Sequence, residues 1–313
     1  MKRFLQAMPI WILLLLGSFT FAQQASVWSG RPSSDQTLRV AVHLVMLDVS
    51  VTDDKGRFVR NLGKESFQVY EDKVQQPITF FSSETAPVTW GLVVDRSGSM
   101  SDMKAVYDAA AHMIDEGTGA DEMFLMTFSG KIDSVSDLTL DRRVIQNAMF
   151  GLHADGTTAL WDSLNSGIDH LKNGKHRKKA LLLITDGQDN RSVLTFKRIL
   201  DRVRESDFVI YTVGINTPSG TFAKGSAVRD QLAQLAEITG GYAHFPTDIE
   251  KCKETMSEIS REVSEQYAIG YYPTNSNYDG QWRKLRVVVT QPGTHLKYIA
   301  RTRSGYYAMQ AGK

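Results

Sequence analysis

Cysteine is almost absent from this chain of 313 residues, which contains only Cys252. One thiol cannot form a disulfide within the chain, so the fold has to be stabilised by its core and by any bound ion. There is also no large excess of charge of either sign. The formal net charge is +1, so the composition gives no reason to expect a nucleic-acid partner. Past the N-terminus no run of about 18 apolar residues occurs, so we predict no transmembrane segment in the mature chain.

The N-terminus has the pattern of a secretory signal. Lys2 and Arg3 precede an apolar stretch from Ile10 to Leu16, and Thr20-Phe21-Ala22 has small residues at both positions that a signal peptidase reads. We predict a signal peptide over 1–22, a mature chain that begins at Gln23, and a flexible leader over 23–37. The protein is therefore expected to be exported, either to the periplasm or out of the cell.

The remainder divides by its hydrophobic pattern into three segments. Residues 38–86 and 265–308 contain short strand patterns separated by turns, whereas 87–264 alternates apolar strands with helical patterns, and 309–313 is a short tail. Alternation of this kind predicts a doubly wound, mostly parallel sheet flanked by helices. The two strand-rich ends are each too small for a core of their own, so we predict one β-sandwich made from both ends, with the α/β unit inserted.

Three loops of the α/β segment contain hard oxygen ligands. The apolar run Gly91–Val94 leads into Asp95-Arg96-Ser97-Gly98-Ser99, and a second apolar run from Leu181 ends at Thr185-Asp186-Gly187. Between them, Gly156-Thr157-Thr158 places a hydroxyl before a helix. Two carboxylates and three hydroxyls, without His or Cys, suit a hard divalent cation and disfavour zinc.

The order D-x-S-x-S, G-x-T or G-T, and T-D-G resembles the metal-ion-dependent adhesion site (MIDAS) of von Willebrand factor A (VWA) domains. The resemblance covers about 180 residues and implies that the metal ligands are Asp95, Ser97, Ser99, Thr158 and Asp186. Where this chain has Thr157 the family usually has glycine, so Thr158 corresponds to the ligand threonine. The resemblance further implies Mg²⁺, with Mn²⁺ or Ca²⁺ as alternatives, and a protein partner that offers an Asp or Glu carboxylate.

The two ends of the chain resemble the secreted bacterial proteins grouped as the VWFA-related Acidobacterial domain family. This resemblance rests on Phe67 to Asp72 and on the C-terminal Ala300 to Tyr306, and it extends over most of the mature chain. The family has no agreed ligand or activity. Function must therefore be argued from the site.

Other functions are compatible with parts of the sequence. A Ser-His-Asp arrangement can be written from Ser99, His153 and Asp186, but no G-x-S-x-G motif accompanies it. Phosphotransfer at Asp95 would need a second acid two residues later, where Ser97 stands. We therefore expect no enzyme, and we keep a metal-dependent enzyme or an envelope assembly or chaperone-like factor as alternatives. A loop without metal, or with an ion that only stabilises the fold, is the simplest alternative.

Three further features have ordinary structural explanations. Cys252 is expected to be half-buried on a helix. The basic run Lys175–Lys179 is typical of a solvated loop, with an acidic partner or the envelope surface as the functional alternative. Trp161 is suited equally to the rim of a binding site and to the core.

Overall fold

The protein is described by a computed structural model over residues 43–99, 103–150, 153–154, 156–215, 222–291 and 297–309. The predicted signal peptide and leader lie outside these ranges. So does most of the predicted tail.

Strands and helices alternate through the middle of the chain, while its ends contain only strands. The strands are β1 Val45–Thr52, β2 Phe67–Glu71, β3 Val74–Gln76, β4 Ile78–Ser82, β5 Val88–Asp95, β6 Glu122–Phe128, β7 Ile132–Thr139, β8 Lys178–Thr185, β9 Val209–Gly214, β10 Ala243–His244, β11 Tyr267–Tyr271, β12 Trp282–Val289, β13 Ile299–Arg301 and β14 Gly305–Tyr307. The helices are α1 Met103–Glu116, α2 Arg142–Phe150, α3 Leu160–Lys172, α4 Phe196–Arg204, α5 Ala227–Thr239 and α6 Ile249–Glu265.

The central sheet has the strand order β10-β9-β8-β5-β6-β7 and is parallel except for β7. From β5 the chain continues to β6 on one side and later returns to β8 on the other. The sheet therefore reverses its winding direction between β5 and β8, which is where open α/β sheets form ligand sites. Val94 pairs with Ile184 at this point, so the two aspartate-bearing loops leave neighbouring strands at one edge.

Helices cover both faces of this sheet. Alternate residues of β5 point to opposite sides: Leu92 and Val94 pack with α1, α2 and α6, and Val93 packs with α3, α4 and α5. All eight residues of β5 are buried, as the continuous apolar run predicts. Gly167 allows α3 to approach closely, because a Cβ there would lie 2.7 Å from Val93 Cγ2. Each large aliphatic side chain in these layers stabilises the fold by about 1.5–3 kcal/mol.

The strands from the two ends of the chain form a sandwich of two antiparallel sheets. One sheet has the order β13-β1-β11-β4 and the other β14-β12-β2-β3, so each contains N-terminal and C-terminal strands. Val45 pairs with Tyr271, and Glu71 pairs with Leu285. Their inward side chains form one core. The predicted fold class is confirmed: a doubly wound α/β unit with antiparallel sheets at both ends of the chain.

A buried lysine connects the start of β8 to the C-terminal end of α6. Lys178, at the start of β8, is 2% exposed, and its Nζ donates to the carbonyl oxygens of Val263 at 2.9 Å, Gln266 at 3.4 Å and Ser264 at 3.5 Å. These carbonyls form the C-terminal end of α6, where a cation is favourable. All described residues belong to one unit that spans Ala41–Lys313. Of the helices described, none combines the length and the apolar character that a membrane span requires.

Candidate metal centre

Asp95 is the most buried of the predicted ligands and is fixed by hydrogen bonds from two elements. It is 0% exposed at the end of β5. Its Oδ1 accepts the backbone N–H of Ser97 at 2.8 Å, which closes the turn after the strand, and its Oδ2 accepts Thr185 Oγ1–H from β8 at 2.5 Å. These two hydrogen bonds fix the orientation of the carboxylate at the carboxyl ends of β5 and β8.

The two serines connect this loop to the second aspartate. Ser97 Oγ and Ser99 Oγ lie 3.2 Å apart, and Ser99 Oγ donates to Asp186 Oδ1 at 2.8 Å. Ser97 and Asp186 are buried, while Ser99 is exposed at the mouth of the site. The second oxygen of Asp186, Oδ2, is buried and has no hydrogen-bond partner among the described residues.

The two threonines of the third loop point in different directions. A Cβ placed on Gly187 would lie 3.5 Å from Thr158 Oγ1 and 3.8 Å from Ser99 Oγ, so both hydroxyls face the backbone that follows Asp186. A Cβ on Gly130 would instead lie 2.7 Å from Thr157 Oγ1. Thr158 thus joins the cluster and Thr157 faces away from it, in agreement with the choice made from the sequence. The structure brings all five predicted residues together, and their role as ligands stays a prediction.

The two buried carboxyl groups of the cluster would be stabilised in their ionised form by a nearby positive charge. Burial raises the pKa of Asp95, against hydrogen bonds from Thr185 and Ser97 that lower it. Burial, with the nearby charge of Asp95, raises the pKa of Asp186 to about 6. Two buried carboxylates that resist ionisation, one of them with an oxygen that lacks a hydrogen bond, fit a divalent cation with oxygen ligands. In the described part of the chain no group of three or more His, Cys, Asp and Glu is placed to hold a metal, so this cluster depends on its hydroxyls.

Sequence reasoning missed the residues that support the site. Thr185 bonds to Asp95, and three polar residues of the loop after Asp186 bond to the start of α3: Asp189, Asn190 and Ser192. The signal was present as the run Asp189-Asn190-Arg191-Ser192, which begins one residue after the T-D-G motif. Short polar residues beside a helix start indicate capping, but the helix they cap begins about thirty residues earlier.

Other candidates from the sequence have different surroundings. Trp161 is 5% exposed and packs on Phe196 with ring centroids 5.3 Å apart, so it belongs to the core. Cys252 is 1% exposed, more buried than expected, and burial raises the pKa of its thiol to about 11. His153 lies in an exposed part of the loop before Thr158.

The fold is that of a doubly wound α/β protein, and its acids and hydroxyls lie at the carboxyl ends of the central strands, where proteins of this class form their ligand sites. The family model of the von Willebrand factor type A domain matches residues 91–259, more than half of the chain. The chain therefore belongs to the VWA domain family. The matched segment includes all five predicted ligands. Comparison with curated proteins gives no match.

Solved structures share this fold at low sequence identity. A von Willebrand factor type A protein from Catenulispora acidiphila is 15% identical with a TM-score of 0.51, over 87% of this chain and 74% of that chain. Proximal thread matrix protein 1 of the mussel byssus, solved with a zinc-occupied MIDAS motif, is 16% identical with a TM-score of 0.50, over 62% and 49%. The vWF domain of the type V pili tip protein Mfa5 from Porphyromonas gingivalis is 11% identical with a TM-score of 0.47, over 56% and 95%. These similarities show the fold alone.

Proposed function

We propose that this chain is an exported binding protein that engages an Asp or Glu of a protein partner through a divalent cation. Five side chains would hold the cation, which we take to be Mg²⁺, with Mn²⁺ or Ca²⁺ as alternatives: Asp95, Ser97, Ser99, Thr158 and Asp186. The observation that supports this most is the buried Asp186 Oδ2, which has no hydrogen-bond partner in the described part of the chain and lies near a second buried carboxylate.

Charge explains why such a site would bind a partner. Two carboxylates balance a divalent cation, and three hydroxyls add no charge, so the bound cation would still attract an anionic oxygen. Gly98 and Ser99 are exposed in the first ligand loop, and Gln188 is exposed two residues after Asp186. The mussel protein of the same fold has zinc at its MIDAS motif. The oxygen-only set of this chain suits Mg²⁺ better than zinc.

Binding is favoured over catalysis by the hydrogen bonds of Ser99. Its hydroxyl donates to Asp186, whereas a nucleophilic serine donates to a base such as histidine. No hydrogen bond within the described ranges joins His153 to Ser99 or Asp186. We therefore propose a binding protein and no enzyme.

Export is proposed from the N-terminal sequence. The charged start, the short apolar stretch and Thr20-Phe21-Ala22 support cleavage before Gln23 and a periplasmic or secreted mature protein. Mass spectrometry of the protein from its native host tests this proposal. We expect a mature chain that begins at Gln23, and an intact Met1 would contradict it.

Capture from the envelope fraction tests the proposed binding. We expect the immobilised full mature chain to retain a partner in Mg²⁺, to release it in EDTA and to recover it when Mg²⁺ or Mn²⁺ is restored. Asp95→Asn should abolish capture, because it removes one of two charges that balance the cation. Asp201→Asn is the matched control, since Asp201 is half-exposed on α4 and pairs with Arg204, away from the ligand loops. Capture that is equal in EDTA and in Asp95→Asn would contradict the proposal.

A further inference from the structure

The loop that follows Asp186, residues 187–194, provides hydrogen-bond acceptors to the start of α3. Asn190 Oδ1 accepts Thr158 N–H at 2.9 Å, and Asp189 Oδ1 accepts Leu160 N–H at 2.9 Å. Ser192 Oγ accepts Trp161 N–H at 3.0 Å and, at 3.1 Å, the next N–H of the helix. We call residues 187–194 the clamp loop.

The same helix start returns hydrogen bonds to the clamp loop. Thr158 C=O accepts the N–H of Asn190 at 3.0 Å and of Arg191 at 3.2 Å. The carboxylate of Asp162 accepts Val193 N–H at 2.8 Å and Leu194 N–H at 2.9 Å. The exchange is reciprocal, and each side satisfies backbone groups of the other.

The reason for this arrangement lies in the sequence of α3. Its N-cap is Ala159, which has no side-chain acceptor for the free N–H groups of the first turn. The clamp loop supplies the missing acceptors from about thirty residues further along the chain. Asp189 itself is oriented by Ser192, whose Oγ donates to Asp189 Oδ1 at 2.5 Å.

Asn190 forms hydrogen bonds with both backbone groups of Thr158. Its side chain accepts the N–H of Thr158 and its backbone donates to the C=O of Thr158, so both backbone groups of one predicted ligand are bound by one residue. Asn190 is exposed, and the clamp loop follows directly after Asp186, the other ligand of this edge. Asn190 thereby fixes the position of the loop that contains Thr158 relative to the loop that follows Asp186.

We propose that Asn190 is a positioning residue that raises the affinity of the site for its divalent cation by fixing Thr158. The inference rests on the proposed function, because it assumes that Thr158 is a ligand. Residues that orient metal ligands without contacting the metal typically change metal affinity by about 10–100-fold when mutated. An effect of this size is expected here because the Asn190 side chain supplies the acceptor for Thr158 N–H, while the two hydrogen bonds to Thr158 C=O come from backbone N–H groups that Asn190→Ala retains.

Titration of the full mature chain with Mn²⁺ alone, followed by electron paramagnetic resonance, tests the inference. Asn190→Ala should weaken Mn²⁺ binding by about 10–100-fold. Asn190→Asp should bind close to wild type, because the contact with Thr158 N–H uses only an acceptor oxygen. Thr195→Ala is the matched control: it removes the N-cap acceptor of α4 just beyond the clamp loop and has no contact with Thr158. We expect its Mn²⁺ affinity to be unchanged.

The outcomes separate the inference from the proposed function. Wild-type protein that binds Mn²⁺, with Asn190→Ala binding equally well, would overturn the inference and leave the proposed function intact. Equal losses in Asn190→Ala and Thr195→Ala, or no rescue by Asn190→Asp, would also overturn it, because a general loss of loop order would then be the cause. Wild-type protein that binds no Mn²⁺ would contradict the proposed function and the inference together.

Discussion

Asp186 illustrates how a single side chain combines an unfavourable environment with a proposed role. Its Oδ1 accepts from Ser99, while Oδ2 is buried with no hydrogen bond from any residue that the structure describes, and the pKa of the carboxyl group is raised to about 6 by burial and by Asp95. Burying a carboxylate in this way is unfavourable unless a cation balances it. The unfavourable free energy of burying this carboxylate is consistent with the proposed cation site, because the same burial increases the attraction for a divalent ion.

Asp186→Asn tests this balance in a thermal unfolding experiment. The amide keeps the acceptor for Ser99 and removes the charge. A ligand at 100 times its dissociation constant stabilises the folded state by about 2.7 kcal/mol, so Mg²⁺ should raise the melting temperature of the wild-type protein by several degrees. The variant should melt at the same temperature in Mg²⁺ and in EDTA. Asp201→Asn should retain the wild-type response, and a Mg²⁺ response of Asp186→Asn equal to wild type would argue against a role for this carboxylate.

The basic run Lys175–Lys179 is only in part the solvated loop that the sequence predicts. Residues 175–177 lie in a largely exposed loop, whereas Lys178 and Lys179 begin β8, and several residues of the run bond within the protein. Arg177 pairs with Asp48 at 2.8 Å, and Lys178 donates to the end of α6. A charge run looks alike in sequence whether its partners are water or backbone carbonyls 85 residues away, so the pattern alone does not distinguish them.

Replacement of Lys178 by Met tests its role at the end of α6. Three carbonyl oxygens lose their donor, so we expect a loss of about 1–3 kcal/mol in the free energy of unfolding at pH 7. Burial lowers the pKa of folded Lys178 to about 8, from 10.5. Between these pH values the unfolded chain binds a proton that the folded chain does not, so wild-type stability should rise with pH relative to the variant. Urea unfolding from pH 7 to 10.5 measures this, and a constant difference would contradict the burial of a titrating amine.

The sequence predicted the strand-rich segments and the ligand loops, but it did not predict that the clamp loop caps α3. Asp95 and Asp186 were recognisable because each directly follows a continuous apolar run, and parallel strands end at one edge of a sheet. The capping of α3 by Asp189 depends on which loop lies beside that helix, and this follows only from the tertiary fold.

On the scale of the whole molecule, the two ends of the chain depend on each other. β1 pairs with β11 and β13, and β2 pairs with β12, so the N-terminal strands have most of their neighbours in the C-terminal segment. The sequence predicted this arrangement from the strand patterns at both ends, since neither end can bury a core alone. The α/β unit is thereby connected to the sandwich at both of its ends.

Truncation after Glu265 tests this dependence and keeps α6 whole. The shortened chain loses β11 to β14, so residues 43–82 should become sensitive to protease while the α/β unit, with its own two cores, stays resistant. Limited proteolysis with mass mapping measures both regions in one experiment. An N-terminal segment that resists cleavage in the truncated chain would show that it folds without the C-terminal strands.

The central claim is that five side chains at the carboxyl ends of β5 and β8 and in the loop before α3 bind a divalent cation. Anomalous diffraction at the manganese edge, from crystals of the full mature chain grown with Mn²⁺, tests it most directly. We predict one strong anomalous peak within coordination distance of the Asp95 and Asp186 carboxylates and of the Ser97, Ser99 and Thr158 hydroxyls, and no peak there in Asp186→Asn. Crystals with no peak at this position in the wild-type protein, or with Mn²⁺ bound only elsewhere, would contradict the account.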